Sequence, residues 1–255
     1  MKKKIYFLSD AHLGSWAIEH SRTHERRLVS FLDKIKNDAS AVYMLGDMFD
    51  FWYEYKYAVP KGFTRFLGKV SELTDSGVEV HIFTGNHDLW CLDYFEKECG
   101  ATLHREPCLL ELNGKEFFLA HGDEFSKDRL FKLLRKIFRS RFLQCCFSAI
   151  HPRWALWLGH AWARHSMVKH KVKGDTPFLG AENEFCVQFA GEYLKKHPSV
   201  DCFIFGHRHV DEDFPLGENS RCIFLGDWIN CFAYVVFDGK EIVRKHYIEG
   251  ESKDL

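Results

Sequence analysis

The chain has 255 residues, 46% of them hydrophobic, and a net charge of −1, which suits one large domain with an insertion and a sizeable buried core. Nine cysteines, an odd number with no C-x-x-C pair, and an N-terminal apolar run of only four residues ("IYFL") argue against a disulfide framework and a cleaved signal. The expectation is a reduced, cytosolic protein.

Taken in chain order, short apolar runs end in polar or glycine-containing turns, as buried strands do. They are "IYFL" before Ser9-Asp10, "AVYML" before Gly46-Asp47, "VEVHIF" before Thr84-Gly85, "EFFLA" before His121-Gly122, "CFIF" before Gly206-His207 and "CIFL" before Gly226-Asp227. Helical periodicity separates the early runs, with Leu28, Leu32 and Ile35 on one face and Phe63, Phe66, Leu67, Val70 and Leu73 on another. Hairpin signals at Asn113-Gly114 and Asp238-Gly239 interrupt the alternation. The pattern predicts an α/β sandwich of mixed β-sheets flanked by helices, in a single domain over residues 1–255.

The turns after the strands carry the chemistry. "SDAHLG" holds Asp10 and His12, "LGDMFD" Asp47 and Asp50, "TGNHD" Asn86, His87 and Asp88, "AHGDE" His121 and Asp123, and "FGHRH" His207 and His209. Ligands of α/β proteins bind beyond the carboxyl ends of strands, where such loops converge. Carboxylate, imidazole and amide oxygen suit a borderline or hard divalent ion. In an extended segment, His207 and His209 would face one side, roughly 6.5–7 Å apart. Each residue alone has an ordinary explanation as a helix cap or a solvated loop residue; five such turns together do not.

Charge is distributed unevenly. Residues 129–174 contain no Asp or Glu and eleven Lys or Arg, so this stretch carries +11 and leaves −12 for the rest. It also holds seven of the aromatics, and "RLFKLLRKIFR" reads as a basic amphipathic helix suited to an anionic membrane surface. Exposed Arg135, Lys136 and Arg139 would supply the attraction. Residues 142–163 are long enough to span a bilayer, but Pro152 and Arg153 fall at the centre, which argues against a span. A lid or acyl-chain chamber suits "WALWLGHAWA" better, with Trp154 and Trp157 as chain contacts.

The order D-x-H, G-D-x-x-D, G-N-H-D, H-G-D, G-H-x-H resembles the calcineurin-like metallophosphoesterase superfamily over most of residues 5–230. The resemblance implies one divalent ion held by Asp10, His12, Asp47 and His209 and a second by Asp47, Asn86, His121 and His207, with Asp47 bridging. It further implies His87 as the residue that donates to the transition state or leaving oxygen, and Asp88 as its orienting partner. Two such ions, when bound, activate a water for in-line attack on phosphorus without a covalent intermediate.

More finely, "LGDMFDFW", "FLGDWI" and the stretch from Gly100 to Asp128 are similar to the UDP-2,3-diacylglucosamine pyrophosphohydrolases of lipid A biosynthesis. That family implies manganese, a helical insertion after H-G-D (here residues 125–173) and release of UMP and 2,3-diacylglucosamine 1-phosphate. The substrate, a UDP-linked acylated glucosamine, would meet Arg164, Ser166, Lys169 and Lys173, and the enzyme would sit peripherally on the cytoplasmic membrane. One position departs from the pattern: typical members carry arginine where this chain has His87. Two other readings stay open at this level, a soluble phosphodiesterase acting on nucleotides or nucleic acid, and a non-catalytic binding module of the same fold. Nucleic acid is the less expected partner, and the filled ligand positions argue against the binding module.

Overall fold

A computed structural model describes residues 3–173, 178 and 180–248, the side chains of 165–173 excepted. Two mixed sheets stack face to face. The first has the order β11-β10-β1-β2-β3-β4, from β1 (Lys4–Leu8), β2 (Ala39–Leu45), β3 (Glu79–Phe83), β4 (Thr102–His104), β10 (Ala233–Phe237) and β11 (Ile242–His246). The second has the order β5-β6-β7-β9-β8, from β5 (Cys108–Leu112), β6 (Lys115–Ala120), β7 (Val200–Phe205), β8 (Asp211–Leu216) and β9 (Ser220–Leu225). β1 to β4 run parallel, as do β6, β7 and β9, while β5, β8, β10 and β11 join antiparallel. The six apolar runs of the sequence are β1, β2, β3, β6, β7 and β9, and both hairpin signals connect strands, β5 to β6 and β10 to β11.

Two-residue alternation sorts the side chains into layers. Ile5, Phe7, Tyr43 and Leu45 from the first sheet meet Phe117, Leu119, Ile204 and Ile223 from the second. The alternate residues Tyr6, Leu8, Val42 and Met44 face outward onto α1 (Ser21–Ile35) and α2 (Thr64–Asp75) through Leu28, Leu32, Phe66 and Val70. On the other side Phe118, Phe203 and Phe224 pack on α7 (Phe185–Leu194), which follows a short α3 (Tyr94–Lys97) and three further helices in chain order. Each aromatic so buried contributes about 1.5–3 kcal/mol over its exposed state.

Two strands escaped the sequence reading. β8 is acidic and contains Pro215, and it survives because it is an edge strand paired only with β9. β4 is three residues long, too short for periodicity to register.

Residues 129–173 form α4 (Arg129–Phe138), α5 (Arg141–Ser148) and α6 (Pro152–Lys173). No helix among the described residues is long and apolar enough to cross a membrane. α6 lies against the strand-end segment of Phe51 and Tyr53 through Ala163. Gly159 sits so near the Phe51 ring that a Cβ there would collide with it. A mid-helix glycine costs about 1 kcal/mol relative to alanine, and here the missing side chain is what lets the helix approach.

Candidate metal centre

The loops following β1, β2, β3, β6 and β7 converge at one end of the two sheets. There the structure forms three linked groups whose ligand atoms lie within 4.8 Å of one another: Asp10, His12 and His209; His12, Asp47 and His87; and Asp47, His121 and His207. Asp47 belongs to two of them. Its Oδ2 is 3.8 Å from His12 Nε2 and 3.3 Å from His121 Nε2, so one carboxylate faces both ends of the cluster. His209 Nε2 stands 3.4 Å from Asp10 Oδ1 and 3.3 Å from His12 Nε2.

Backbone geometry aims these groups. Asp10, His12, Asp47, His207 and His209 all have positive φ, between 43° and 64°. A left-handed conformation costs an L-residue about 1–2 kcal/mol, so the surrounding contacts hold five residues where none would rest by itself. Part of that hold is visible: Asp10 Oδ2 accepts from the His207 N–H at 3.0 Å, and Asp47 Oδ1 accepts from the His87 N–H at 2.8 Å. Gly206 makes room for this, since a Cβ there would lie 2.6 Å from Asp10 Oδ2.

The donor set fits divalent ions on three observations. His121 Nδ1–H donates to the Leu45 carbonyl at 2.8 Å, which leaves Nε2 buried, facing Asp47 and without a hydrogen-bond partner. Asn86 Oδ1 is likewise buried and unpartnered. Burial followed by the neighbouring His87 lowers the His12 pKa, and burial followed by His121 lowers that of His207, so both rings are neutral and offer lone pairs. Against burial, Asp10 and Asp227 hold His209 up to about 10, and Asp47 holds His121 well above the usual range. In both places a positive charge is what the carboxylates favour. Orphaned acceptors of this kind in a dry site are costly unless a cation meets them.

The partner of His87 is not the one the sequence suggested. His87 Nδ1–H donates to the backbone carbonyl of Asp50 at 2.9 Å, and its ring meets His12 edge-on with centroids 4.7 Å apart. The Asp88 carboxylate instead accepts backbone N–H groups from Gly85 at 2.7 Å, Met48 at 2.8 Å and Asp47 at 3.3 Å. It braces the loops after β2 and β3. Burial, with Asp47 adding to it, pushes the Asp88 carboxyl up to about 7. In G-N-H-D the aspartate turns inward under the loop onto those N–H groups, while the histidine ring lies against His12.

Two supporting residues had no role assigned from sequence. Asp227 Oδ2 lies 3.4 Å from His209 Nδ1, with Oδ1 held by the N–H groups of Ile229, Asn230 and Cys231. Asp50 Oδ1 lies 3.9 Å from His12 Nδ1. The Asp227 carboxylate is placed to fix the tautomer of His209, whereas Asp50 at its distance makes no hydrogen bond to His12. Their signal was present in "LGDWI" and "GDMFD", but which imidazole each would meet is a property of the fold.

Beside Asn86 and His87 opens a cavity of about 260 Å³ whose walls include Phe51, Trp90, Phe131, Phe138, Leu158 and Trp162. α4 enters it with Phe131, Leu134 and Phe138 and leaves Leu130, Leu133 and Ile137 in solvent. Arg135 is not the exposed cation expected: it pairs with buried Asp123 at 2.7 Å and with Glu124 at 3.2 Å. Arg139 pairs with Glu106. Trp154 and Trp157 are 58% and 62% exposed and do not line the cavity; their places are taken by Leu158 and Trp162. Arg164 lies with its guanidinium 5.5 Å from the centre of the Trp16 ring. Ser166, Lys169 and Lys173 lie outside the described side chains. All nine cysteines are free.

Residues 3–211 match the family model of the calcineurin-like phosphoesterases. The chain belongs to that family. Among curated proteins, the phosphoesterase is 46% identical over 254 residues to the UDP-2,3-diacylglucosamine hydrolase of Porphyromonas gingivalis, covering 95% of this chain and 97% of the relative. It is 31% identical to the protein of that name from Aeromonas hydrophila, over 94% of this chain and 97% of the relative. The one from Hahella chejuensis is 30% identical, over 87% of this chain and 88% of the relative.

Proposed function

We propose that this phosphoesterase hydrolyses the pyrophosphate bond of UDP-2,3-diacylglucosamine to UMP and 2,3-diacylglucosamine 1-phosphate, a step of lipid A biosynthesis. The observation that carries the reading is a cluster of ligand candidates bordered, at Asn86 and His87, by an apolar cavity that α4 and α6 help to wall. The relatives named above support the substrate. A soluble nucleotide phosphodiesterase has no use for such a cavity.

In this reading Asp10, His12, Asp47 and His209 hold one divalent ion and Asp47, Asn86, His121 and His207 the other, with manganese the metal at both. Bound there, the ions supply charge to the phosphoryl oxygens and acidify a water for in-line attack. As general acid, His87 gives the leaving oxygen a proton carried on Nε2, while Nδ1–H stays on the Asp50 carbonyl and fixes the ring. The acyl chains enter the cavity, and Arg164, Ser166, Lys169 and Lys173 serve the phosphates and glucosamine. Residues 125–173 act as a lid within a single domain. Its exposed Leu130, Leu133, Phe142, Trp154 and Trp157 rest on the cytoplasmic membrane surface, where the protein is peripheral.

The test is manganese-dependent release of UMP from UDP-2,3-diacylglucosamine, run beside UDP-N-acetylglucosamine. Turnover confined to the acylated substrate is expected. Equal turnover of the two, or release of nucleotides from chain-free diesters only, would sink the lipid reading.

A further inference from the structure

The D-A-H turn after β1 carries two ligand candidates, Asp10 and His12, and both stand in the left-handed region at φ 55° and 43°. All three carbonyls of the turn are engaged. Asp10 O accepts from the Trp228 N–H at 3.1 Å, and His12 O accepts from the Ser15 N–H at 3.0 Å. The Ala11 carbonyl between them accepts from a side chain instead, the Nε2–H of His24, at 2.8 Å. His24 lies in the first turn of α1 and belongs to none of the three ligand groups. It is 5% exposed, and Ala11 is wholly buried. A carbonyl can only accept, so the bond fixes the ring proton on Nε2.

This bond acts on one peptide plane. The Ala11 carbonyl and the His12 N–H belong to the same planar unit, and the N–H donates to the Asp47 carbonyl at 2.9 Å. The plane is therefore held at one end by α1 and at the other by the loop that carries the shared carboxylate. Without His24 the carbonyl is left buried and unpartnered, a state that favours rotation of the plane toward another donor. Such a rotation changes φ of His12 and swings its imidazole relative to His209, whose Nε2 stands 3.3 Å from that of His12. Left-handed φ is itself disfavoured for an L-residue, so the local backbone does not resist the change.

We infer that His24 is a positioning residue for one of the two ions: its hydrogen bond to the Ala11 carbonyl holds Asp10 and His12 in ligand geometry. The inference rests on the two-ion assignment above and adds to it a residue outside the cluster, on which one ion depends more than the other. Asn86, His121 and His207, assigned with Asp47 to the second ion, stand on other loops. Sequence alone gave no sign of this, because a histidine on an amphipathic helix shows neither the carbonyl it reaches nor what that carbonyl separates.

The experiment is calorimetric titration of manganese into the metal-free full chain, with a urea midpoint for each protein, for wild type, His24→Ala, His24→Asn, His24→Gln and Leu28→Ala. A glutamine amide extends as far as imidazole Nε2, and an asparagine amide stops short. His24→Ala and His24→Asn should weaken one ion roughly tenfold or more, the range for a lost outer partner of a metal ligand, and the other ion less. His24→Gln should bind both ions close to wild type. Leu28→Ala, which empties core volume on the same helix, should lower the urea midpoint and leave both affinities in place. The Asn variant keeps the test open if the Ala variant does not fold. Both ions held as in wild type by His24→Asn, both weakened alike, a Gln variant no better than Asn, or an equal loss in Leu28→Ala each overturns the positioning role and leaves the two-ion assignment standing. A wild-type chain that takes up fewer than two ions overturns that assignment and this inference with it.

Discussion

Nε of Arg135 donates to Oδ2 of Asp123 at 2.7 Å, and the carboxylate is wholly buried. Asp123 is two residues past the ligand candidate His121, so this pair fastens α4 to the loop that carries part of the site. Replacing Arg135 by methionine leaves that carboxylate buried without its partner, a change that costs about 3–5 kcal/mol. The expected result is a lower urea midpoint, with binding to anionic vesicles little changed in the folded fraction. An unchanged midpoint with weaker vesicle binding would return Arg135 to the surface role its sequence suggests.

Asp47 faces both ends of the cluster through one carboxylate. Asp47→Ala should lose both ions, whereas His207→Ala should lose mainly one. Elemental analysis of the folded variants distinguishes these outcomes, and two tightly held ions per chain in Asp47→Ala would refute the bridging assignment.

His87 touches His12 and Asp50 but belongs to the ligand set of neither proposed ion. His87→Ala should lower turnover roughly 10²–10⁴-fold, the usual range for a lost general acid, with metal content intact. Loss of an ion in that variant would make His87 a ligand instead, an outcome its closeness to Asp47 makes worth measuring.

Gly159→Ala introduces a Cβ into the space of the Phe51 ring. Overpacking of this kind costs about 1–3 kcal/mol, and α6 must withdraw. The expected signature is reduced turnover of the long-chain substrate with hydrolysis of a small chromogenic phosphodiester preserved.

His104 gives a pH dependence remote from the metal cluster. Burial, with His81 3.0 Å away, lowers its pKa from 6.5 to about 4. Between those values the unfolded chain binds more protons than the folded one, so this contribution is complete above pH 6.5 and is lost as the pH falls toward 4. His104→Gln should flatten the fall in urea midpoint between pH 6.5 and pH 4.5 relative to wild type.

Six of the eleven strands among the described residues stand out in the sequence as apolar runs because they are covered on both faces and need no polar alternation. β8 is hidden for the converse reason: its acids point into half-open space at an edge. The ligand candidates were legible because the turns after consecutive strands repeat the same donor types. What was not legible depends on direction. Nothing in "GNHD" says that Asp88 turns under the loop, and nothing in an amphipathic helix says which cation reaches back to a carboxylate. Arg135 on α4 can do so because its side of the helix is the side that covers the site.

Asp10, His12, Asp47 and Asn86 stand on loops of the first sheet, and His121, His207 and His209 on loops of the second. Ions shared among them would clasp the two sheets at one edge, much as a rivet joins two plates. The inter-sheet core of Phe7, Phe117 and Phe237 cements the same plates from within. Ion occupancy and the alignment of the two sheets would then be coupled: a shift in alignment would part the groups around Asp47, and filled sites would hold that alignment.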